Sequence, residues 1–330
     1  MSRIHFEPLR PNRFFGVPDR YEFTHGDGTV CVYDIHTLDF VKEIPVGTKP
    51  DCHATSPDGR YLYIACLEGL YCIDQQSLEV VKVVDTGKVY ATNVLPDGKT
   101  LLVHDLAGGI VVIDDMMDMD KIHIRCRLPV IPNGEFRCEI GGKGSFLVGD
   151  RYYLCAGWHQ KKLYQFDTRD NFSFVDFMEA NPILDGGDDL VLNHDRTKAY
   201  TACHKGWEKR GYVAVIDIAS HTITKTIPTG IGTCGLTMTN DERYVIASND
   251  QEDSISVIDT EIDEIVNTPC AREGFDALGI TGYIQGISCG VNDEIYVYGC
   301  KGNGAIVRFT DVVKSNRFEI SWSSGKYKNF

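Results

Sequence analysis

The sequence predicts an all-β fold, a seven-bladed β-propeller of four-stranded antiparallel blades. Three observations lead there: a strand, turn, strand unit that recurs along the chain, a tight-turn hairpin between successive copies, and the near absence of a 3.6-residue apolar period. The recurring unit reads "VCVYDIHTLDFVKEI" (30 to 44), "LYCIDQQSLEVVKVV" (70 to 84), "IVVIDDMMDMDKIHI" (110 to 124), "LYQFDTRDNFSFVDF" (163 to 177), "VAVIDIASHTITKTI" (213 to 227) and "ISVIDTEIDEIVNTP" (255 to 269), with a weaker copy at "AIVRFTDVVKSNRFEI" (305 to 320). Its aspartates, Asp34, Asp74, Asp114, Asp167, Asp217 and Asp259, stand 40 to 53 residues apart, the period of a four-stranded blade. Between copies lie two more strands and a turn, as in "CHATSPDGRYLYIAC", where Pro57, Asp58 and Gly59 suit a tight reversal.

One sheet with an apolar face cannot bury it alone, and blades solve this by stacking round an axis. The expected organisation is a single propeller domain over residues 1 to 330. Its blades fall at roughly 11 to 46, 47 to 86, 87 to 129, 130 to 179, 180 to 229, 230 to 271 and 272 to 321. Residues 4 to 9 are expected to add an outer strand, and the tail "SSGKYKNF" reads as loose.

Composition narrows the function. The formal charge of −14 opposes nonspecific binding to nucleic acid and to anionic membranes. No apolar run approaches the 18 residues of a membrane span. The start, "MSRIHFEPLRPNRFF", shows no basic segment followed by an apolar core, and 12 cysteines without a C-x-x-C pair read as scattered thiols. A reducing cytoplasm is the expected compartment.

The stretch "GYVAVIDIASHTITKTIPTGIGTCGLTMTNDERYVIASNDQEDSISVIDTEIDEIV" is similar to the YVTN-repeat propellers, closely in blades 2, 5 and 6 and faintly in the others. That group includes surface-layer propellers, lactonase-like enzymes and the propeller subunits of quinoprotein amine dehydrogenases. The resemblance implies architecture more than activity, and no stretch matches the catalytic residues of any one member. The histidine-tryptophan signature of WD repeats is missing.

In such a fold the connections entering each first strand share a rim with those between second and third strands, at the mouth of the central channel. Onto that rim fall Tyr90, Glu135, Arg137, Asp188, Asp189, Tyr283 and Gln285 from the first group, and His104, Trp158, His159, His204, Lys205 and Trp207 from the second. His104, His159 and His204, with Gln285 completing the shell, are the expected ligands of a divalent metal ion, the one cofactor this reading invokes. Glu135, Asp188 and Tyr90 are the expected catalytic groups that move a proton. Arg137 and Lys205 would hold a substrate carboxylate or phosphate, and Trp158, Trp207 and Tyr283 would wall the substrate. The reaction class suited to such a pocket is a metal-assisted lyase, isomerase or lactone hydrolase acting on a small polar or anionic molecule.

Plainer readings accompany each residue. His104 aligns with Cys66 and Cys203 as a small polar residue packed between blades, and the tryptophans can fill space at a blade edge. "GGDDL" (186 to 190) is either a turn or a cation-binding loop, and "DDMMDMD" (114 to 120) reads as a solvated loop on the far rim. A whole-molecule alternative also stands: a non-catalytic propeller that binds a protein partner or serves as a structural subunit of a larger oxidoreductase.

Overall fold

A computed structural model describes residues 21–25, 28–50, 52–95, 97–105, 109–129, 145–148, 151–156, 162–179, 187–204, 208–279, 284–290, 292–299, 305–322 and 326–329, several strand positions as backbone alone. Among the described residues, apart from two short helical turns, the regular structure is strand, arranged as consecutive antiparallel meanders. The first sheet has β1 (Tyr21–His25), β2 (Thr29–Asp34) and β3 (Phe40–Pro45). Next come β4 (His53–Thr55), β5 (Tyr61–Cys66), β6 (Gly69–Asp74) and β7 (Glu79–Val84). The third sheet holds β8 (Val89–Val94), β9 (Leu101–Asp105), β10 (Gly109–Asp114) and β11 (His123–Pro129). The fourth holds β12 (Ser145–Val148), β13 (Arg151–Ala156), β14 (Lys162–Asp167) and β15 (Ser173–Glu179). The fifth is β16 (Gly187–Leu192), β17 (Lys198–Cys203), β18 (Arg210–Asp217) and β19 (Thr222–Ile231). The sixth is β20 (Thr233–Met238), β21 (Tyr244–Asn249), β22 (Ser254–Asp259) and β23 (Glu264–Asn267). A short helix, α1 (Arg272–Leu278), leads to the last sheet: β24 (Ile284–Cys289), β25 (Ile295–Gly299), β26 (Ile306–Thr310), β27 (Arg317–Trp322) and β28 (Lys326–Asn329).

Five of these sheets have four strands; among the described residues the first has three and the last has five. First strands of successive sheets pack on one another, β4 on β8, β12 on β16, β16 on β20 and β20 on β24, which makes them innermost. Fourth strands lie outside, so β7 alternates between covered and open positions while β5 is buried throughout. Apolar seams fill the spaces between neighbouring sheets. Tyr63 and Leu70 meet Val103 and Val111 in one, and Tyr200 and Val213 meet Leu236 and Val245 in another. The cluster around the first sheet, which includes Leu62 and Ile64 of the second, also draws in Tyr296 and Ile306 from the last sheet, and β1 packs on β25. Arg308 completes that junction by donating from Nη1 to the Ile35 carbonyl at 2.9 Å. The chain is therefore an all-β propeller of four-stranded antiparallel blades.

The recurring aspartate has a local cause. Asp34 Oδ1 accepts the backbone N–H groups of His36 and Thr37 at 2.9 and 3.0 Å, and Asp74 Oδ1 accepts those of Gln76 and Ser77 at 2.8 and 3.1 Å. Asp167, Asp217 and Asp259 do the same for Arg169, Ser220 and Glu261 at 2.9, 2.7 and 2.9 Å. Each side chain thus closes the reversal between third and fourth strands, which is why the turn needs Asp rather than any polar residue. A register shift recurs just before it, at Val32/Tyr33, Cys72/Ile73, Val112/Ile113, Gln165/Phe166, Val215/Ile216 and Val257/Ile258. These bulges increase the local twist.

The carboxyl groups of Asp34 and Asp74 fall below their ordinary range: burial works to raise them, and the turn N–H groups outweigh it. Asp217 is lowered by the Ser220 hydroxyl and N–H, and Asp259 chiefly by Arg243. A lowered folded-state pKa gives stability that is present above the unfolded value, about 3.8 for these groups, and is lost as pH falls through the folded value. The urea midpoint is expected to fall steeply between about pH 4 and pH 2, and Asp217→Asn, which keeps an acceptor but no charge, to flatten that slope in a pH series.

Three expectations change. The tail is not loose: Lys326–Asn329 pairs antiparallel with Glu319–Trp322 and forms the outer edge of the last sheet. The "DDMMDMD" loop is not fully solvated, because Met116 is buried and its carbonyl accepts the Tyr63 hydroxyl at 2.6 Å. α1 was unexpected; its Gly274 and Phe275 turn inward against Phe318 and Ile320. Residues 4 to 9 lie outside the described residues.

Candidate functional site

Four innermost strands break register where they begin, on the rim they share. The shifts fall at Val89/Ala91 in β8, Gly187/Leu190 in β16, Thr233/Leu236 in β20 and Ile284/Gly286 in β24. Tyr90, Asp188 with Asp189, Cys234 with Gly235, and Gln285 are the residues inside these breaks. A bulge frees backbone groups from the ladder and re-aims side chains, and bulges concentrate at barrel rims and beside active sites. Tyr90, Asp188 and Gln285 thus occupy equivalent positions in three sheets.

Several side chains of the described part of this rim bond across the seams or along them. Asp189, fully buried, accepts the Leu236 N–H through Oδ2 at 3.0 Å, so a carboxylate of one sheet caps an amide at the bulge of the next. Within "GGDDL", residues from Gly187 onward belong to β16, and Asp189 acts as a cross-seam cap. Asn249, at the end of β21, takes Gly230 N–H at 3.0 Å and the Thr233 hydroxyl at 3.1 Å on Oδ1. Its Nδ2 donates to Ser254 and Ser256, each at 3.0 Å. Ser248 receives the Gly235 N–H at 2.9 Å and donates to Asp250 at 3.0 Å.

His104 is buried near the end of β9, with its Nε2 3.3 Å from Asn93 Nδ2 and its ring edge-on to Tyr90, centroids 6.0 Å apart. This is the one pair of expected site residues that the described side chains bring together. Three atoms on adjacent innermost strands, Thr55 Oγ1, Thr92 Oγ1 and Asn93 Oδ1, are buried without a hydrogen-bond partner among the described residues. Such atoms ordinarily meet water or a ligand.

The alignment of His104 with Cys203 is corrected by the registers. Cys203 opposes Gly187, the residue before the bulge, and its counterpart in the third sheet is Asp105, which opposes Val89. His104 stands one residue earlier, so it points to the opposite seam. It shares a face with Leu102, which packs toward Tyr164 and Phe166 of the following sheet. His204 is buried immediately after β17. Tyr200 and Ala202 face β20 to β23, and alternation gives His204 that same side. The two histidines thus belong to different seams. Among the described residues no group of three or more His, Cys, Asp or Glu side chains is close enough to hold a metal ion.

Asp188 and Gln285 are placed by their backbone alone, within β16 and β24. Glu135, Arg137, Trp158, His159, Lys205, Trp207 and Tyr283 lie outside the described residues. Asn93 and Asp253 are polar residues without a signal in the sequence pattern, whereas Asn249 stands in "SNDQEDS", a connection between second and third strands that the repeat alignment brings to this rim. Among the described cysteines Cys31, Cys52, Cys66, Cys72, Cys126, Cys203, Cys234, Cys270 and Cys289 are free thiols. No helix is long and apolar enough to cross a membrane among the described residues.

Solved structures similar to this chain are propellers. The Cps50 (Swd1) β-propeller domain of Myceliophteria thermophila superposes with a TM-score of 0.63 at 13% identity, covering 89% of this chain and 95% of that one. Kuenenia stuttgartiensis hydrazine synthase gives 0.60 at 14% identity, covering 98% and 99%. The dihydro-heme d1 dehydrogenase NirN, solved in complex with DHE, gives 0.59 at 18% identity; 92% of this chain spans 64% of that chain. At these identities the likeness shows the fold alone. No family model matches the sequence, and no curated protein does.

Proposed function

We propose that the chain is a seven-bladed propeller of YVTN-repeat type that binds a small polar or anionic molecule at the rim where the innermost strands begin. Counting the three-stranded and five-stranded sheets as blades supports the number seven. The observation that carries the binding reading is the recurrence of register breaks on one rim, with Tyr90, Asp188 and Gln285 inside three of them. The paired Tyr90 and His104, beside the partnerless Asn93 Oδ1, supply polar groups in a buried setting where electrostatic interactions are strengthened. In this reading Tyr90, Asp188 and Glu135 handle protons, Arg137 and Lys205 hold the anionic group, and Trp158, Trp207 and Tyr283 enclose it. Because His104 and His204 belong to different seams, a divalent ion in the same proposal rests on one of them together with His159 and Gln285, with lyase, isomerase or lactone hydrolase chemistry.

The test is saturation-transfer NMR with a panel of small carboxylates, sugar phosphates and lactones, run on the parent, Tyr90→Phe and His104→Gln. At least one compound is expected to bind the parent and to bind both variants about tenfold more weakly, as loss of a buried polar contact implies. Equal binding to all three proteins overturns the site, and binding of no compound overturns the small-molecule reading. A protein-binding propeller is then the better account, favoured by Val41, Val81 and Val83, which are 42%, 44% and 46% exposed on the outer strands β3 and β7.

A further inference from the structure

The extra residue in β8 decides which side chain meets His104. Val89 opposes Asp105, so an unbroken ladder would set Tyr90 against His104 and put Thr92 two positions along on the same face. The break at Val89/Ala91 instead sets Ala91 against His104, Thr92 against Val103 and Asn93 against Leu102. Asn93 thereby takes the diagonal place beside the imidazole, and Thr92 goes to the face of Val103.

Both partners are buried, Asn93 at 3% exposure and His104 at 2%. Leu102, opposite the amide, belongs with Leu95, Tyr164 and Phe166 to an apolar cluster. Asn93 Nδ2 lies 3.3 Å from His104 Nε2, and Asn93 Oδ1 has no hydrogen-bond partner among the described residues. An amide nitrogen only donates, and an imidazole nitrogen accepts only when it carries no hydrogen. The contact therefore requires a neutral ring with its hydrogen on Nδ1. With the hydrogen on Nε2 instead, two donors would face each other across that distance.

We propose that Asn93 is a positioning residue, which holds His104 as the neutral tautomer with hydrogen on Nδ1 and occupies the Nε2 lone pair. Which nitrogen of an imidazole carries the proton is set by the bond that the other one makes. A metal ion also binds through a ring-nitrogen lone pair, and here Nε2 is engaged while Nδ1 has none to offer. His104 is thus a hydrogen-bonding group, and the divalent ion of the reading above falls to His204. The functional weight of this assignment rests on that reading, but the tautomer is a property of the unliganded protein. The two can fail separately.

Long-range nitrogen–proton correlation NMR of the imidazole rings, on the full chain at about pH 8 where histidines are ordinarily neutral, reads the tautomer directly. Comparison with His104→Gln identifies the signal among the 10 histidines. The parent is expected to show hydrogen on Nδ1 alone. Asn93→Asp, whose carboxylate only accepts, is expected to bring hydrogen onto Nε2. Asn93→Leu, similar in shape but without polar groups, is expected to lose the single Nδ1–H pattern, and it serves if the aspartate variant does not fold. Zinc ion alone, added to the parent, is expected to leave the His104 signal in place. Hydrogen on Nε2 in the parent, an unchanged Nδ1–H pattern in Asn93→Leu, or a His104 signal displaced by zinc overturns the proposal. The expected tautomer in a protein that binds none of the small molecules above would overturn the ligand reading and leave this assignment standing.

Discussion

Gly211→Ala is expected to lower the melting temperature by about 6 °C. A Cβ on Gly211 would stand 2.5 Å from Thr233 Oγ1, 2.6 Å from Thr233 Cβ and 2.7 Å from the Cys203 carbonyl oxygen. Contacts below 3.0 Å on two sides leave no direction in which the new group can move. One obstacle is backbone of β17, and the other belongs to the first residue of β20, which is itself pinned to Asn249. Overpacking of this kind costs about 3 kcal/mol. Differential scanning calorimetry measures it, and the double variant Gly211→Ala, Thr233→Gly is expected to recover part of the loss. Recovery would be incomplete because the Cys203 carbonyl remains. A shift under about 1 °C would mean that the fifth and sixth sheets are not as closely apposed as described.

Asn249→Ala is expected to cost about 3–4 kcal/mol, measured as a shift in the urea midpoint at constant slope. The amide is fully buried and joins four groups: the Gly230 N–H, the Thr233 hydroxyl and the Ser254 and Ser256 hydroxyls. Alanine removes all four hydrogen bonds at once and leaves the buried Gly230 N–H without its acceptor. A lost hydrogen bond is worth about 1 kcal/mol, but an abandoned buried donor costs more. Ser254→Ala and Ser256→Ala each remove one contact and are expected to cost about 1 kcal/mol or less. If Asn249→Ala proves no worse than either serine variant, the network is not cooperative and its position at the rim has no energetic weight.

Local chemistry was legible in the sequence and cross-seam chemistry was not. The turn aspartates announce themselves because each bonds to its own next few residues, so spacing alone reveals them. The strands are equally plain, since their β-branched runs are buried on both faces. Asp189 shows where this stops: a carboxylate beside glycine reads as a turn, and only the neighbouring sheet supplies the Leu236 amide that it caps. His104 shows a second limit. An alignment of strand ends with Cys203 puts it one residue from its true register, and with a period of two that offset reverses the face. The register breaks at Tyr90, Asp188 and Gln285 have no sequence mark at all, because a bulge depends on how two strands pair.

Arg308 of β26 reaches Ile35 in the first sheet, joining opposite ends of the chain. In a linear stack of repeats, peeling away a terminal unit uncovers one apolar face. Here the N-terminal sheet is wedged between two others, with Tyr296 and Ile306 on one flank and Leu62 and Ile64 on the other. Detaching it would wet both flanks together, so the ring behaves like a clasped bracelet rather than a row of beads, and fraying from either terminus is opposed by the far end of the same polypeptide.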